Sequence, residues 1–374
     1  MKIQYAAPVS EPSGYGEFAR NVVSGLVSVG ADVLVRNIQL DQADVAELGS
    51  KMPIGWHKFP DVSIVNMVPQ LFKQYQHKQA RLNVIYTMFE CDRIPQPWVD
   101  ACNQADAVLV PSRHSRDAFV NSGVTTQVRW AVPPIDLSLY SGRTRSVRQT
   151  DAPFTFYSIL EFGERKNPLG LIRAYWAAFT GQTGVLLKLK IYLKGQDAAE
   201  KARIEKDLAD LRKSVRLAHY PRIQLVWDHL SQEEIVKFHL SSDVYVSATR
   251  GEGLGMGLLA ALALETPAIA SDTSGHQDVG GENGWFKIPC HLTPAHNSGP
   301  YAPYLGNALW SEPDLSWLIE RMRALFEARL QEGGGTAGIF AGQGAAMVRR
   351  QFDQQARGNE LVITLQELLD SKQG

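Results

Sequence analysis

Four glycines and one acid share the seven residues Gly251–Gly257. Each glycine would cost up to ~1 kcal/mol against alanine inside a helix, so so many together point to close approach of a backbone to a ligand. The strand-like run Val244–Ser247 leads into this turn. An apolar helix and a second run, Ala268–Ser271, follow it. Strand, glycine turn, helix presents free backbone N–H groups to an anion. A carboxylate does not favour a bare phosphate, so Glu252 points to hydroxyl groups attached to one. A phosphate beside a polyol describes a nucleotide-sugar, with Gly253, Leu254, Gly255, Met256, Gly257 and Leu259 as donor-binding candidates. The competing reading is a structural turn with Glu252 solvated.

A second constellation is Glu161–Pro168, containing Gly163, Arg165 and Lys166, at the end of another strand-like run. Ligands of open α/β sheets bind outside the carboxyl ends of strands. Arginine as a fork and lysine as a point charge suit a diphosphate there, and a basic surface turn is the alternative. Two weaker candidates lie in the first half. Gly14, Tyr15 and Gly16 sit between a strand and a helix, without the third glycine of a dinucleotide fingerprint. Glu90 follows a buried strand, where it could accept a proton from an acceptor hydroxyl, pair with Arg93 or cap the next helix.

Other chemistries lack their residues. There is no Asp-x-Asp for a divalent-metal bridge, no His-Glu-x-x-His, no Cys-x-x-Cys, no Gly-x-Ser-x-Gly and no Walker lysine loop. No metal is expected. The diphosphate charge would fall to Arg165, Lys166 and a helix N-terminus.

The elements that must position these residues alternate along the chain. Strands are expected at Lys2–Ala6, Ala31–Val35, Val62–Val68, Leu82–Thr87 and Ala107–Val110, with a helix carrying Phe18, Val22, Leu26 and Val29. The stretch Ser141–Pro153 is polar, basic and aperiodic, and reads as a linker. Alternation resumes with strands at Phe154–Leu160, Leu187–Leu193 and Ile223–Trp227. Helices are expected at Leu169–Phe179, Ala198–Val215, after the Ser231–Glu234 capping box, and at Pro313–Gln331, Gly338–Gln351 and Glu360–Leu369. The expected fold is α/β, with one Rossmann-like domain over 1–145, a second over 152–345, and C-terminal helices over 346–374 that could cross back to the first.

At 374 residues two domains are the better prior. A formal net charge of −1 gives no global pull toward nucleic acid or anionic membrane. Basic clusters at Arg143–Arg148 and Arg212–Arg222 keep a nucleic-acid acceptor open. Three unpaired-looking cysteines, no signal-peptide pattern and no apolar run near ~20 residues lead to a cytoplasmic expectation, with peripheral membrane contact left open.

Four segments in chain order resemble the retaining glycosyltransferases of family 4, of the GT-B fold group. They are Ser13–Gly16; Val110–Asp117 with Gly123-Val124; Gly163–Pro168; and Glu252–Gly255 running through Thr266-Pro267 to Ser271-Asp272. The resemblance implies two facing Rossmann-like domains with a cleft between them. It also implies a donor nucleotide-sugar held mainly by the second, and metal-independent transfer to an acceptor hydroxyl with retention. Arg165 and Lys166 would neutralise the leaving diphosphate. The acceptor would be a glycan or lipid-linked glycan, with a modified base in DNA, or a non-catalytic nucleotide-sugar-binding role, as alternatives. The chain departs from its relatives at three places. Ala260 stands where a second glutamate usually binds ribose hydroxyls, and Glu265, about 140° further around a helix, cannot replace it. Leu160-Glu161 stands where a Gly-Arg pair is common. Many relatives also place a histidine near Glu90, and this chain has none in sequence.

Overall fold

Apolar runs punctuated by glycine, proline and capping residues fold into two parallel sheets, in a computed structural model that describes residues 1–39, 52–143, 152–192, 198–296, 304, 306–328 and 335–372. The chain divides into two compact units. The first is Met1–Leu137 with Pro303–Ala308 and Arg350–Gly374; the second is Ser138–Ala302 with Leu309–Arg349.

In the first unit, β1 (Lys2–Ala7), β2 (Asp32–Asn37), β3 (Val62–Val65), β4 (Leu82–Tyr86), β5 (Ala107–Val110) and β6 (Val128–Trp130) form one sheet in the order β2-β1-β3-β4-β5-β6. Every pairing is parallel. β3 and β5 are buried at every position, as parallel strands covered on both faces should be. Helix α1 (Gly14–Ser28) starts because Ser13 accepts a hydrogen bond from the Gly16 N–H, and it buries Phe18, Val22 and Leu26. Helix α2 (Gln96–Cys102) and helix α3 (Arg113–Asn121), the latter capped by Ser112, follow β4 and β5. β3 is shorter than its apolar run suggested. It ends at Val65, and the next residue, Asn66, turns its amide onto the Tyr86 carbonyl at 2.7 Å.

In the second unit, β7 (Phe154–Glu161), β8 (Val185–Tyr192), β9 (Arg222–Val226), β10 (Val244–Ser247), β11 (Ala268–Ser271) and β12 (Phe286–Ile288) order as β12-β11-β10-β7-β8-β9, again wholly parallel. Helix α4 (Pro168–Phe179) opens on an Asn167 cap with proline at its first position. Leu171, Ala174, Tyr175 and Ala178 all face the core, as their spacing predicts. Then come α5 (Ala198–Val215), α6 (Gln232–Leu240) with its complete Ser231–Glu234 capping box, and α7 (Met256–Ala263).

A small antiparallel hairpin, β13 (Cys290–Pro294) with β14 (Leu309–Pro313), was not expected from the sequence. It also corrects the helix expected from Pro313. That proline closes a strand, and α8 (Leu315–Ala328) begins after Asp314, whose carboxylate caps the N–H groups of Ser316 and Trp317. Helix α9 (Gly335–Gln351) follows. The final helix, α10 (Gln354–Ser371), is longer than its expected span and lies on α1 within the first unit. Gly25 and Gly358 allow that approach: a Cβ on Gly358 would fall 2.6 Å from the Gly25 carbonyl oxygen. The expected linker falls mostly on residues 144–151, and part of the Gly333–Gly335 break on 333–334; both lie outside the described residues. Among the described residues no helix is long and apolar enough to cross a membrane.

Candidate active site

The strand order of the second sheet reverses at β7. The chain runs β7-β8-β9 toward one edge, then returns to β10-β11-β12 on the other side. Loops leaving the carboxyl ends of two such neighbours diverge and open a crevice, the usual ligand position of an open α/β sheet. Arg165 and Lys166 lie on the loop after β7, and Glu252 lies on the loop after its direct neighbour β10.

The two loops are joined tightly. The Arg250 N–H donates to the Arg165 carbonyl at 2.7 Å, and the Arg165 guanidinium donates to the Gly251 carbonyl at 2.7 Å. Thr249 Oγ1 lies 3.1 Å from both of these carbonyls. Lys166 Nζ reaches both carboxylate oxygens of Glu252, at 2.6 and 2.8 Å, and Arg165 stands 3.6 Å from the same group. The Glu252 side chain is only 12% exposed, Arg165 17% and Lys166 23%. A solvated acid and a basic surface turn are therefore both excluded as descriptions of these residues.

A third loop, after β11, fixes the backbone of Glu252. Its N–H donates to Ser274 Oγ at 2.8 Å, and its carbonyl accepts from the Gly275 N–H at 2.9 Å. Ser274 holds φ at 46°, a left-handed conformation that costs a non-glycine residue of order 1 kcal/mol or more and is tolerated where the surroundings enforce it. His276 donates from Nδ1 to the Ser271 carbonyl at 3.1 Å, which leaves Nε2 without its proton. Gly255, at φ 94°, has no alternative: a Cβ there would sit 2.3 Å from the His276 ring.

Burial alone would raise the pKa of Glu252. The Lys166 and Arg165 cations, with His276, outweigh burial and hold the carboxyl at about 2. Burial lowers His276, against the pull of Glu252, so its imidazole is neutral near pH 7.

The remaining donor candidates divide by what their side chains do. Leu254 and Leu259 are buried core residues, so only their backbones could meet a ligand. Gly257 is required by packing, since a Cβ would approach the Tyr245 hydroxyl to 2.5 Å. Gly163 has open space around its Cβ position. Gly255 is the N-cap of α7, where no side chain supplies a cap, so the N-terminal N–H groups of Met256 and its neighbours remain available to an anion.

Behind these loops stands the hairpin that sequence reasoning missed. Arg250 makes a two-pronged ion pair with Glu312 of β14 and also donates to the Glu164 carbonyl. Thr273 and Ser311 share a 2.6 Å hydroxyl contact, and His296 lies 3.3 Å from the Glu164 carboxylate.

The first-unit candidates occupy the carboxyl ends of their own sheet. Gly16 is explained by its loop: a Cβ would lie 2.1 Å from the Glu11 carbonyl oxygen. Gly14 has open space, and the Tyr15 hydroxyl meets Thr87 Oγ1 at 3.3 Å. Glu90 accepts from the Tyr304 hydroxyl at 3.3 Å. A histidine does neighbour Glu90 in space, although none does in sequence. His114, at the start of α3, reaches the Cys91 carbonyl at 3.1 Å and interacts electrostatically with Glu90.

Two parallel, doubly wound sheets, the second bearing a cationic cradle at its switch point, have the architecture of the GT-B glycosyltransferases. Residues 146–290 match the family described as Glycosyl transferases group 1. The protein is a glycosyltransferase. In fold it is similar to a sucrose-phosphate synthase from Thermosynechococcus elongatus, at 16% identity and a TM-score of 0.70, covering 99% of this chain and 100% of that one. It is also similar to HepE of Anabaena solved with UDP and glucose, at 13% identity, TM-score 0.65, covering 98% and 99%. An E. coli structure described as trehalose-6-phosphate bound with UDP-2-fluoro glucose aligns at 10% identity, TM-score 0.64, over 98% and 99%. No curated protein matches the chain by sequence.

Proposed function

We propose that the protein transfers a sugar from a nucleotide-diphosphate sugar to an acceptor hydroxyl, with retention at the anomeric carbon and without a metal. The observation that carries this reading is the convergence of Arg165, Lys166 and Glu252, all largely buried, at the switch point of the second sheet. Solved relatives of the same fold hold UDP or a UDP-sugar, which supports a nucleotide-sugar donor here.

In the reaction the bond from the anomeric carbon to the diphosphate oxygen breaks and a bond to the acceptor oxygen forms. Negative charge then grows on the diphosphate, beside Arg165, Lys166 and the N-terminus of α7. Groups that interact more strongly with that developing charge than with the ground state accelerate the step. The acceptor's proton leaves to the departing phosphate oxygen. Ala260 and Glu161 set the nucleoside end apart from relatives of the resembling family, with Ala260 offering no carboxylate to ribose hydroxyls.

A glycan or lipid-linked glycan is the favoured acceptor, with a cytoplasmic setting. The DNA alternative draws less support from its basic clusters. Arg143 is bound to Glu233 by two bonds of 2.8 and 2.7 Å, Lys213 pairs with Asp210, and Arg212 lies over Tyr220.

The test is a transfer and hydrolysis assay against UDP-, GDP- and ADP-sugars, run with and without chelator. Turnover that survives EDTA and falls by about 10²-fold or more with Lys166→Ala and with Glu252→Ala supports the proposal. Turnover that needs an added divalent ion, or that survives both substitutions, overturns it.

A further inference from the structure

Glu252 is paired with both cations of the cradle, Lys166 more closely than Arg165, and this has a consequence for what the site will bind. Lys166, whose flexible stem ends on Glu252 at 2.6 and 2.8 Å, is the cation a phosphate would need. Arg165 is tied to the Gly251 carbonyl at 2.7 Å and has less freedom to move. Glu252 has its backbone held on both sides by Ser274 and Gly275, and its carboxylate keeps only the Arg165 guanidinium, 3.6 Å away, once it loses the lysine.

Resting on the reading of the site as a nucleotide-sugar donor site, we propose that the Lys166–Glu252 ion pair is an exchangeable plug that selects the intact donor over the spent nucleoside diphosphate. A diphosphate entering the cradle takes Lys166 from Glu252. If the diphosphate arrives alone, it leaves behind a carboxylate that is 12% exposed and has lost its closest cation, and it brings further negative charge near it. Stranding a buried charge in this way is costly. If a sugar is attached, its hydroxyls donate to that carboxylate and replace what the lysine gave. The same carboxylate thus rewards the donor and penalises the product, which is discrimination by a repulsive as well as an attractive element. Product would leave readily because the plug re-forms behind it.

The test measures dissociation constants of wild-type protein and of Glu252→Gln for inorganic pyrophosphate, for UDP, GDP and ADP, and for their glucose esters. Glutamine keeps the shape and removes the charge. The expected result is that Glu252→Gln binds pyrophosphate and the matching free nucleoside diphosphate at least tenfold more tightly than wild type. The donor-to-product preference should shrink by at least tenfold. Equal affinities for pyrophosphate in the two proteins, or an unchanged donor-to-product ratio, overturn the proposal while leaving the glycosyltransferase reading standing. A wild-type protein that binds none of the nucleotide-sugars overturns both.

A second measurement needs no variant. A nucleoside diphosphate cyclohexyl ester has the bulk of a sugar without its hydroxyls. It should bind wild type no more tightly than the free diphosphate. Binding as tight as that of the glucose ester would overturn the plug.

Discussion

At the residue scale, Glu252 ties stability and the proposed donor recognition to one carboxyl group. Its folded pKa of about 2 lies below its ordinary value of 4.5, so its contribution to stability is complete above pH 4.5 and disappears as pH falls through 2. Each pKa unit corresponds to about 1.4 kcal/mol, so the contribution is on the order of 3 kcal/mol. Chemical denaturation of wild type and Glu252→Gln between pH 2 and 7 checks this: the two proteins should differ above pH 4.5 and converge toward pH 2. For Lys166, substitution by alanine should lower kcat by about 10²–10³, with a smaller change in donor KM, since the charge it meets grows in the transition state. Both residues were legible in the sequence, because a carboxylate in a glycine turn and a cation pair after a strand each stand out locally. Their direct contact was not. It depends on β7 and β10 being neighbours, with Lys166 and Glu252 separated by 86 positions. Ser274 and His276 gave no signal for the same reason.

At the element scale, α7 ends in a way that predicts a stabilising substitution. The Thr266 and Glu265 N–H groups bond back to the Ala261 and Leu262 carbonyls, and this closure places Glu265 at φ 54°. Glycine adopts that conformation without strain, so Glu265→Gly should raise stability by about 1 kcal/mol, read as an upward shift of Tm. The exposed pair of Glu265 with Arg349 offsets little of this. Glu265 lies past the end of α7, so the helical angle expected between it and Ala260 does not apply.

β8 carries the opposite liability. Lys190 is 1% exposed, its ammonium donates to the Ile191 carbonyl and lies 4.3 Å from the Tyr192 ring centre, and burial lowers its pKa from 10.5 to about 8. The folded state therefore disfavours the charged amine, and stability should rise as pH climbs from about 8 toward 10.5. Lys190→Met should stabilise the protein at pH 7 by roughly 1–3 kcal/mol and abolish that rise, as urea denaturation at several pH values would show. The strands and caps were legible because their signals are local. The β13–β14 hairpin was not, since its strands are short and its pairing joins residues on either side of a long loop. The helix expected from Pro313 starts at Leu315 instead, because proline suits both a helix start and the last residue of an edge strand.

At the scale of the whole molecule, the alternation of strands and helices was enough to indicate two α/β sheets, but strand order and the path of the chain were not readable. Periodicity gives no account of which distant segment completes a layer. The first unit depends on the last 25 residues, Arg350–Gly374, which deliver α10 to α1. Loss of that segment should weaken the first unit and spare the cradle. A chain ending at Arg349 is expected to retain pyrophosphate binding, while hydrogen exchange accelerates across α1 and β1. Retained protection there would show that α10 is dispensable.

The polypeptide leaves the first unit at Leu137, rejoins it briefly at Pro303–Ala308 and returns to complete it from Arg350. On a ribosome adding about 5–20 residues per second, roughly 10–40 s separate the first and last of those events. During that time the second unit can emerge and close in full, whereas the first must wait with the α1 surface uncovered. The newborn protein is thus most exposed to aggregation through its earliest-made part. A chaperone that recognises apolar surface would find its target on α1 until α10 has been made.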